Sequence, residues 1–257
     1  MGFRSVESIH LARFNSANSS DFLDLYENAV DERILDGETK TPSRTFAPSQ
    51  IRCKRVSWFR LRGTPPEQET IVDRTLNFTA QVGTACHHNI QETLSKKLGK
   101  DWIDVEEYLN SENRPYRYVC TKNGYETQIE VLDPPIKFAP DGIIFYKGKY
   151  WLLEIKTSEY SSFDKLTDPK PQHIDQIKCY ATLLNIHDAL VLYQDRMYGG
   201  LKCYEINITD NDMKQMWDMF AEVQDCVKKN IAPEKLPAGD SRCSPSYCRY
   251  YNKCKEW

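Results

Sequence analysis

Asp141, Glu154 and Lys156 stand in the stretch PDGIIFYKGKYWLLEIKT, residues 140–157. Charged side chains in strands usually face water, yet these three sit at the edges of apolar runs that read as buried. Residues two apart in a strand point the same way, so Glu154 and Lys156 share one face while Leu153 and Ile155 take the other. The KGK segment between the two runs is a hairpin signal with Gly at the turn. Pairing around it brings Asp141 to the Glu154 end of the second strand. Two carboxylates so close repel each other unless a cation bridges them. A hard divalent ion such as Mg²⁺ takes oxygen ligands of this kind together with phosphate oxygens. Lys156 beside it could position a water and offset charge developing on a phosphate. Against this stands a bland reading, because cross-strand Glu–Lys pairs are common and do no chemistry.

Two further groups bear on the choice. His87 follows Gly83 in a G-x-x-x-H spacing. A lone histidine on an apolar helix face is ordinarily a core residue, but imidazole beside carboxylates also suits Mn²⁺ or a transition metal. His173, Gln176 and Tyr180 form H-x-x-Q-x-x-x-Y, with Gln176 and Tyr180 four apart on one helix face. A Gln can orient a water or phosphate, and a Tyr can stack on a base or bond a phosphate oxygen.

The cysteines are unevenly placed. Cys86, Cys120, Cys179, Cys203 and Cys226 are scattered, mostly among apolar neighbours, and read as small buried hydrophobes. Cys243, Cys248 and Cys254 crowd into the tail with x4 and x5 gaps. Three thiolates seldom complete a site, and Cys53 offers a remote fourth. Zinc and an iron–sulfur cluster both remain open, although the C-x-x-C knuckles of many zinc sites are absent.

Several elements must position these groups. Residues 19–37 read as a capped helix closed by Gly37, and 38–50 as a loop. Residues 50–63 read as a short helix carrying Arg52, Lys54, Arg55, Arg60 and Arg62. A third helix spans 83–99, with His87 on or beside its stripe Ile90, Gln91, Leu94, Leu98. Strands follow at YETQIEVL, DGIIFY and YWLLEIK, then a polar loop over 159–171. The stretch PQHIDQIKCYATLLNI reads as a helix with Ile174, Ile177, Ala181 and Leu184 inward. ALVLYQ and LKCYEI are strands, and 209–230 is a long capped helix with Met213, Met216, Trp217, Phe220, Val223 and Val227 on one stripe. The class expected is α/β, a central mixed sheet flanked by helices.

The 257 residues suit one substantial core, and the net charge of −3 excludes a globally basic nucleic-acid coat protein. A role on DNA must rest on a local patch such as Arg52–Arg62. No apolar run spans a bilayer, and the first twenty residues show no secretory signal, so a cytoplasmic, intracellular chain without a membrane partner is expected. Gly2 and Ser5 match a myristoylation pattern short enough to arise by chance. No G-x-x-x-x-G-K-[ST] loop is present to bind ATP.

The ordered set GTACH (83–87), PDG (140–142), LEIKT (153–157) and HIDQIKCY (173–180) resembles the PD-(D/E)XK nuclease superfamily, in its RecB-like exonuclease branch. The resemblance covers about residues 50–254 and implies a restriction-endonuclease-like core over 46–257 with a helical extension over 1–45. It implies His87, Asp141, Glu154 and the Ile155 carbonyl as ligands of Mg²⁺ or Mn²⁺, Lys156 as the catalytic lysine, and Gln176 and Tyr180 as orienting residues. One cysteine before the core and three after it also resembles the iron–sulfur members of that branch, the AddB nuclease half and the CRISPR adaptation exonucleases. That implies a [4Fe–4S] cluster on Cys53, Cys243, Cys248 and Cys254, clamping the two ends of the chain; the x4 gap is wider than theirs often is. The expected activity is metal-dependent exonuclease hydrolysis at DNA ends or in single strands, with a helicase or recombination partner. The alternatives are a structure-specific endonuclease on the same core and a DNA-end-binding module with little turnover.

Overall fold

The computed structural model describes residues 20–37, 44–67 and 74–257. The N-terminal stretch through residue 19 and residues 38–43 of the loop expected over 38–50 lie outside the described residues. The chain divides into two units, one of residues 1–40 and 72–78, the other of residues 41–71 and 79–257. In the first, helix α1 (Ser20–Gly37) is held to the start of helix α3 (Arg74–Leu98) by Arg74 bonds to Asp31 at 2.7 and 2.8 Å. An Arg33–Asn77 hydrogen bond of 3.0 Å lies beside them. Such exposed pairs contribute little stability.

The second unit is built on a mixed sheet. Its strands are β1 (Trp102–Ile103), β5 (Gly142–Tyr146), β6 (Lys149–Ser158), β7 (Asp188–Asp195) and β8 (Leu201–Asn207), in that spatial order. Only β6 and β7 pair in parallel; the other neighbours are antiparallel. Parallel neighbours need a crossover. Here it carries the short helix α5 (Tyr160–Asp164) and helix α6 (Pro171–Leu184). A separate antiparallel sheet holds β2 (Tyr118–Asn123), β3 (Glu126–Val131) and β4 (Ile136–Phe138). Helix α2 (Lys54–Leu61), helix α4 (Val105–Asn110), helix α7 (Asp210–Lys229) and the terminal helix α8 (Tyr251–Glu256) complete the unit. Among the described residues no helix is long and apolar enough to cross a membrane.

The β5–β6 hairpin turns through Lys147 and Gly148, both with positive φ (51° and 78°). That is the turn whose twist matches two right-twisted strands. Strand β6 is buried on both faces, which is why it reads as a nearly continuous apolar run. Leu153 and Ile155 pack with Ile90 and Leu94 of α3, while Leu152 joins the main core with Ile177, Ala181 and Val191. Each such fully buried side chain is worth about 1.5–3 kcal/mol relative to exposure.

Local readings differ from the sequence in three places. Helix α3 starts at Arg74 rather than near Gly83, which lies in mid-helix. The segment expected as a loop over 159–171 includes α5, whose Phe163 is buried. Cys203 is exposed, not buried, because it faces outward on the edge strand β8.

Helix α7 starts from a capping box. Thr209 accepts from the Asp212 backbone N–H, and the Asp212 side chain accepts from the Thr209 backbone N–H. Hydrogen bonds from Lys178 and Thr209 lower the Asp212 carboxyl to about 2. Its folded-state value is depressed, so its stabilisation is present above the ordinary value of 3.8 and is lost as pH falls towards 2. Thr209→Ala should destabilise the protein by roughly 1 kcal/mol. Asp212→Asn should flatten the acid limb of the stability curve below pH 4, both read by thermal melts across pH.

Candidate active site

The hairpin register sets Gly142 opposite Leu153, which places Asp141 beside Glu154 just before the start of β5. Asp141 Oδ2 accepts the backbone N–H of Ile155 at 2.6 Å, and Oδ1 meets His87 Nδ1 at 3.0 Å. The Asp141 carbonyl accepts Gln91 Nε2 at 2.8 Å. Gln91 and His87 are one turn apart on α3, so one helix holds both ends of this aspartate. The N–H and C=O of one strand residue point to the same side. The Ile155 carbonyl therefore faces the gap where β5 has ended, with Asp141.

Glu154 is buried at 2 % exposure. Lys156 Nζ lies 2.5 Å from Glu154 Oε1 and donates to Gln176 Oε1 at 3.1 Å. Gln176 Nε2 in turn donates to the Tyr180 hydroxyl at 2.9 Å. An unbroken chain thus runs Glu154–Lys156–Gln176–Tyr180 from β6 to α6. His173, one turn before Gln176, meets the Tyr193 hydroxyl at 2.7 Å, and Tyr193 is the β7 partner of Lys156 in register.

Burial and the neighbouring Asp141 push the Glu154 carboxyl well above the usual carboxylate range, and Lys156 and His87 offset this only in part. Burial opposes a proton on His87. The Asp141 hydrogen bond and the charges of Asp141 and Glu154 outweigh it, so the imidazole is raised above its ordinary value. Burial, with Lys156 and Lys170 adding to it, lowers His173 to about 4. Burial first, then Glu154, raises the Tyr180 phenol.

Glu154 Oε2 is buried without a hydrogen-bond partner. An orphaned carboxylate oxygen beside a second carboxylate is costly unless a cation takes it. Carboxylate oxygens beside an imidazole are a donor set that suits a divalent ion. The structure also brings in a residue that the sequence reading missed. Ligand atoms of His87, Asp141 and Glu126 all lie within 4.8 Å of one another. Glu126 opens β3, after the turn signal KNGYE, and that signal marks a hairpin without saying where its tip docks.

The four cysteines expected to act together lie in one part of the fold. Cys53, Cys243, Cys248 and Cys254 line one cavity of about 230 Å³ with Arg55, Phe59 and Arg242. All four are free thiols, and burial raises Cys243 and Cys248, with the other cysteines adding to it. The basic residues around Cys53 do not form the open patch the sequence led us to expect. Arg55 is buried and donates to the carbonyls of Pro233, Cys254 and Trp257 at 2.7, 3.0 and 3.3 Å. Arg62 lies over the rings of Trp58 and Trp257. Arg60 donates to the Thr45 carbonyl. Arg52 and Lys54 pair with Asp175 and Glu222, each at 2.5 Å, with side chains 29 % and 43 % exposed. Helix spacing alone could not reveal that the tail supplies the carbonyls these cations seek.

No family model and no curated protein matches the chain. Among solved structures it is similar to SSO0001, at 16 % identity over 90 % of this chain and 96 % of that one, with a TM-score of 0.46. It is also similar to an alkaline exonuclease, LHK-Exo, from Laribacter hongkongensis, at 13 % identity over 77 % and 93 %, with a TM-score of 0.47. The same enzyme in complex with dAMP aligns at 16 % identity over 69 % and 87 %, with a TM-score of 0.42. With TM-scores below 0.5, none of these likenesses enters the functional reading.

One glycine guards the site. A Cβ on Gly142 would lie 2.7 Å from the Trp102 ring. Gly142→Ala should therefore cost about 1–3 kcal/mol through overpacking. It should also displace Asp141 next to it, read as a lower melting temperature together with weaker divalent-ion stabilisation of the fold.

Proposed function

We propose that this chain is a divalent-metal-dependent deoxyribonuclease of the PD-(D/E)XK type, an exonuclease acting at DNA ends or in single strands. The observation that carries the reading is the buried Glu154 beside Asp141, with one oxygen left unpartnered and Lys156 in contact with the other. Such a pair adds no stability that apolar residues would not supply better. The order His87, Asp141, Glu154, Lys156, Gln176, Tyr180 supports the same assignment.

His87, Asp141, Glu154 and the Ile155 carbonyl would hold Mg²⁺ or Mn²⁺. The ion would neutralise the carboxylates and act as a Lewis acid on a phosphodiester oxygen. The protein's own groups do the rest. Lys156, fixed between Glu154 and Gln176, presents an ammonium to charge developing on the phosphate. Gln176 fixes both the lysine and the Tyr180 hydroxyl, and so orients the side of the site that receives the strand. Of the five cations on 52–62, Arg52 and Lys54 keep enough exposure to meet a phosphate backbone in exchange for their present partners.

The four clustered cysteines fit a [4Fe–4S] cluster. Four thiolates lining one cavity are the ligand set of such a cluster. Its role would be to clamp the tail to the segment around Cys53, next to contacts the protein makes unaided.

Asp141→Ala, Glu154→Ala and Lys156→Ala should each lower cleavage about a hundredfold or more. The measurement is Mn²⁺- or Mg²⁺-dependent hydrolysis of end-labelled linear and circular DNA. Full activity in any of the three removes the site assignment. Cutting of circles by the wild type would favour an endonuclease, and binding without cleavage a DNA-end-binding module.

Protein purified without oxygen should be brown and carry about four iron and four sulfide per chain. Cys53→Ser, Cys243→Ser, Cys248→Ser or Cys254→Ser should bleach it, and Cys203→Ser should not. Zinc in place of iron would refute the cluster and keep the clamp.

A further inference from the structure

The divalent centre proposed above draws its groups from helix α3 and the edge of the mixed sheet. The β2–β3 hairpin belongs to the other sheet, yet its tip reaches the same point. Asn123 pairs with Glu126 across a two-residue turn whose first residue, Gly124, has φ 63°. A glycine with positive φ at that position gives the turn a twist suited to a hairpin. The tip is seated on α3 by two neighbouring contacts. The Tyr125 ring meets the His88 ring edge-on, with centroids 5.1 Å apart. Glu126 brings a carboxylate oxygen within 4.8 Å of the ligand atoms of both His87 and Asp141. Consecutive residues on the hairpin thus touch consecutive residues on the helix.

The charge at the centre gives this approach a meaning. With Glu154 ionised and His87 neutral, as metal ligation requires, Asp141 and Glu154 against Lys156 leave one negative charge, half of what a divalent cation carries. Glu126 brings the surplus to two. A carboxylate held this close to Asp141 is repelled unless a cation is shared, and the buried, unpartnered Glu154 Oε2 independently calls for one. Glu126 also lines an open cleft of about 590 Å³ with Gln176 and Tyr180, so it stands between the centre and the space where a strand would lie.

The geometry points to Glu126 as a further carboxylate of the divalent-cation site, contributed by the β2–β3 hairpin and shared with His87 and Asp141. The inference rests on the divalent-centre reading. It adds that ion affinity depends on the docking of a hairpin from a second sheet.

Mn²⁺ binding, measured by electron paramagnetic resonance of the free ion in the absence of DNA, tests it. Glu126→Gln should weaken binding about ten- to a hundredfold. Glu130→Gln, on the same strand but paired with Lys137 at 2.8 Å, should bind as the wild type does. Asp141→Asn separates the two readings. If it abolishes binding while Glu126→Gln binds like the wild type, the assignment of Glu126 is overturned and the centre stands. If Asp141→Asn also binds normally, the divalent centre itself is wrong. Should Glu126→Gln fail to fold, Glu126→Asp keeps the charge and shortens the reach by one methylene. It too should bind Mn²⁺ more weakly, and wild-type affinity in it overturns the proposal.

Discussion

Holding two carboxylates side by side at a dry sheet edge is the constraint on which this structure turns. Stripped of water, each carboxylate loses several kcal/mol of solvation, and their mutual repulsion adds to that. The fold answers from several directions at once. Asp141 receives a backbone N–H from Ile155 and a ring contact from His87, and Glu154 receives the ammonium of Lys156. None of these partners is adventitious. The Ile155 N–H is available only because β5 stops at Gly142 while β6 runs on to Ser158. The difference in strand length is therefore part of the chemistry, since it bares one backbone amide and carbonyl at the point where the carboxylates meet.

The same logic explains why the helix carrying His87 must come close. Gly83 lies one turn before His87, and a Cβ there would sit 3.4 Å from Thr157 Oγ1. That is ordinary contact, so α3 and β6 lie side by side here without a clash to enforce the glycine. Gly142 is under a tighter limit, with the Trp102 ring 2.7 Å from where its Cβ would sit. Neither glycine has a positive φ, and Gly83 lies in mid-helix where the sequence presents a helix start.

Much of the centre was legible because it depends on short-range periodicity. Strand alternation placed Glu154 with Lys156, the KGK turn fixed the register, and four-residue helix spacing paired Gln176 with Tyr180. The mixed sheet flanked by helices follows from the same patterns. What stayed hidden depends on long-range docking. Glu126 lies fifteen residues before Asp141 on a different sheet, and no local pattern states that its hairpin crosses α3. The arginines of 52–62 looked like a nucleic-acid patch because charge is visible in a sequence and partners are not. Arg55 meets carbonyls about two hundred residues away, and Arg242 reaches back to the Arg52 carbonyl at 2.9 Å.

That long-range stitching bears on how the ends of the chain are held. Phe59 stacks on Tyr250 with centroids 4.9 Å apart, Trp58 meets Trp257 at 5.0 Å, and the Glu67 N–H donates to the Arg249 carbonyl at 2.8 Å. These contacts surround the cysteine cavity and do not depend on what fills it. Closing a loop of nearly the whole chain removes much entropy from the unfolded ensemble, so a clamp at this place has leverage whether it is made of aromatic rings or of metal. The rings supply a seat, and of the four thiols lining the cavity Cys243 and Cys248 are raised by burial, a penalty that an electrophilic centre would relieve. The tail and the carboxylate edge thus pose related physical problems, thiols gathered around one cavity at one place and two carboxylates held out of water at the other.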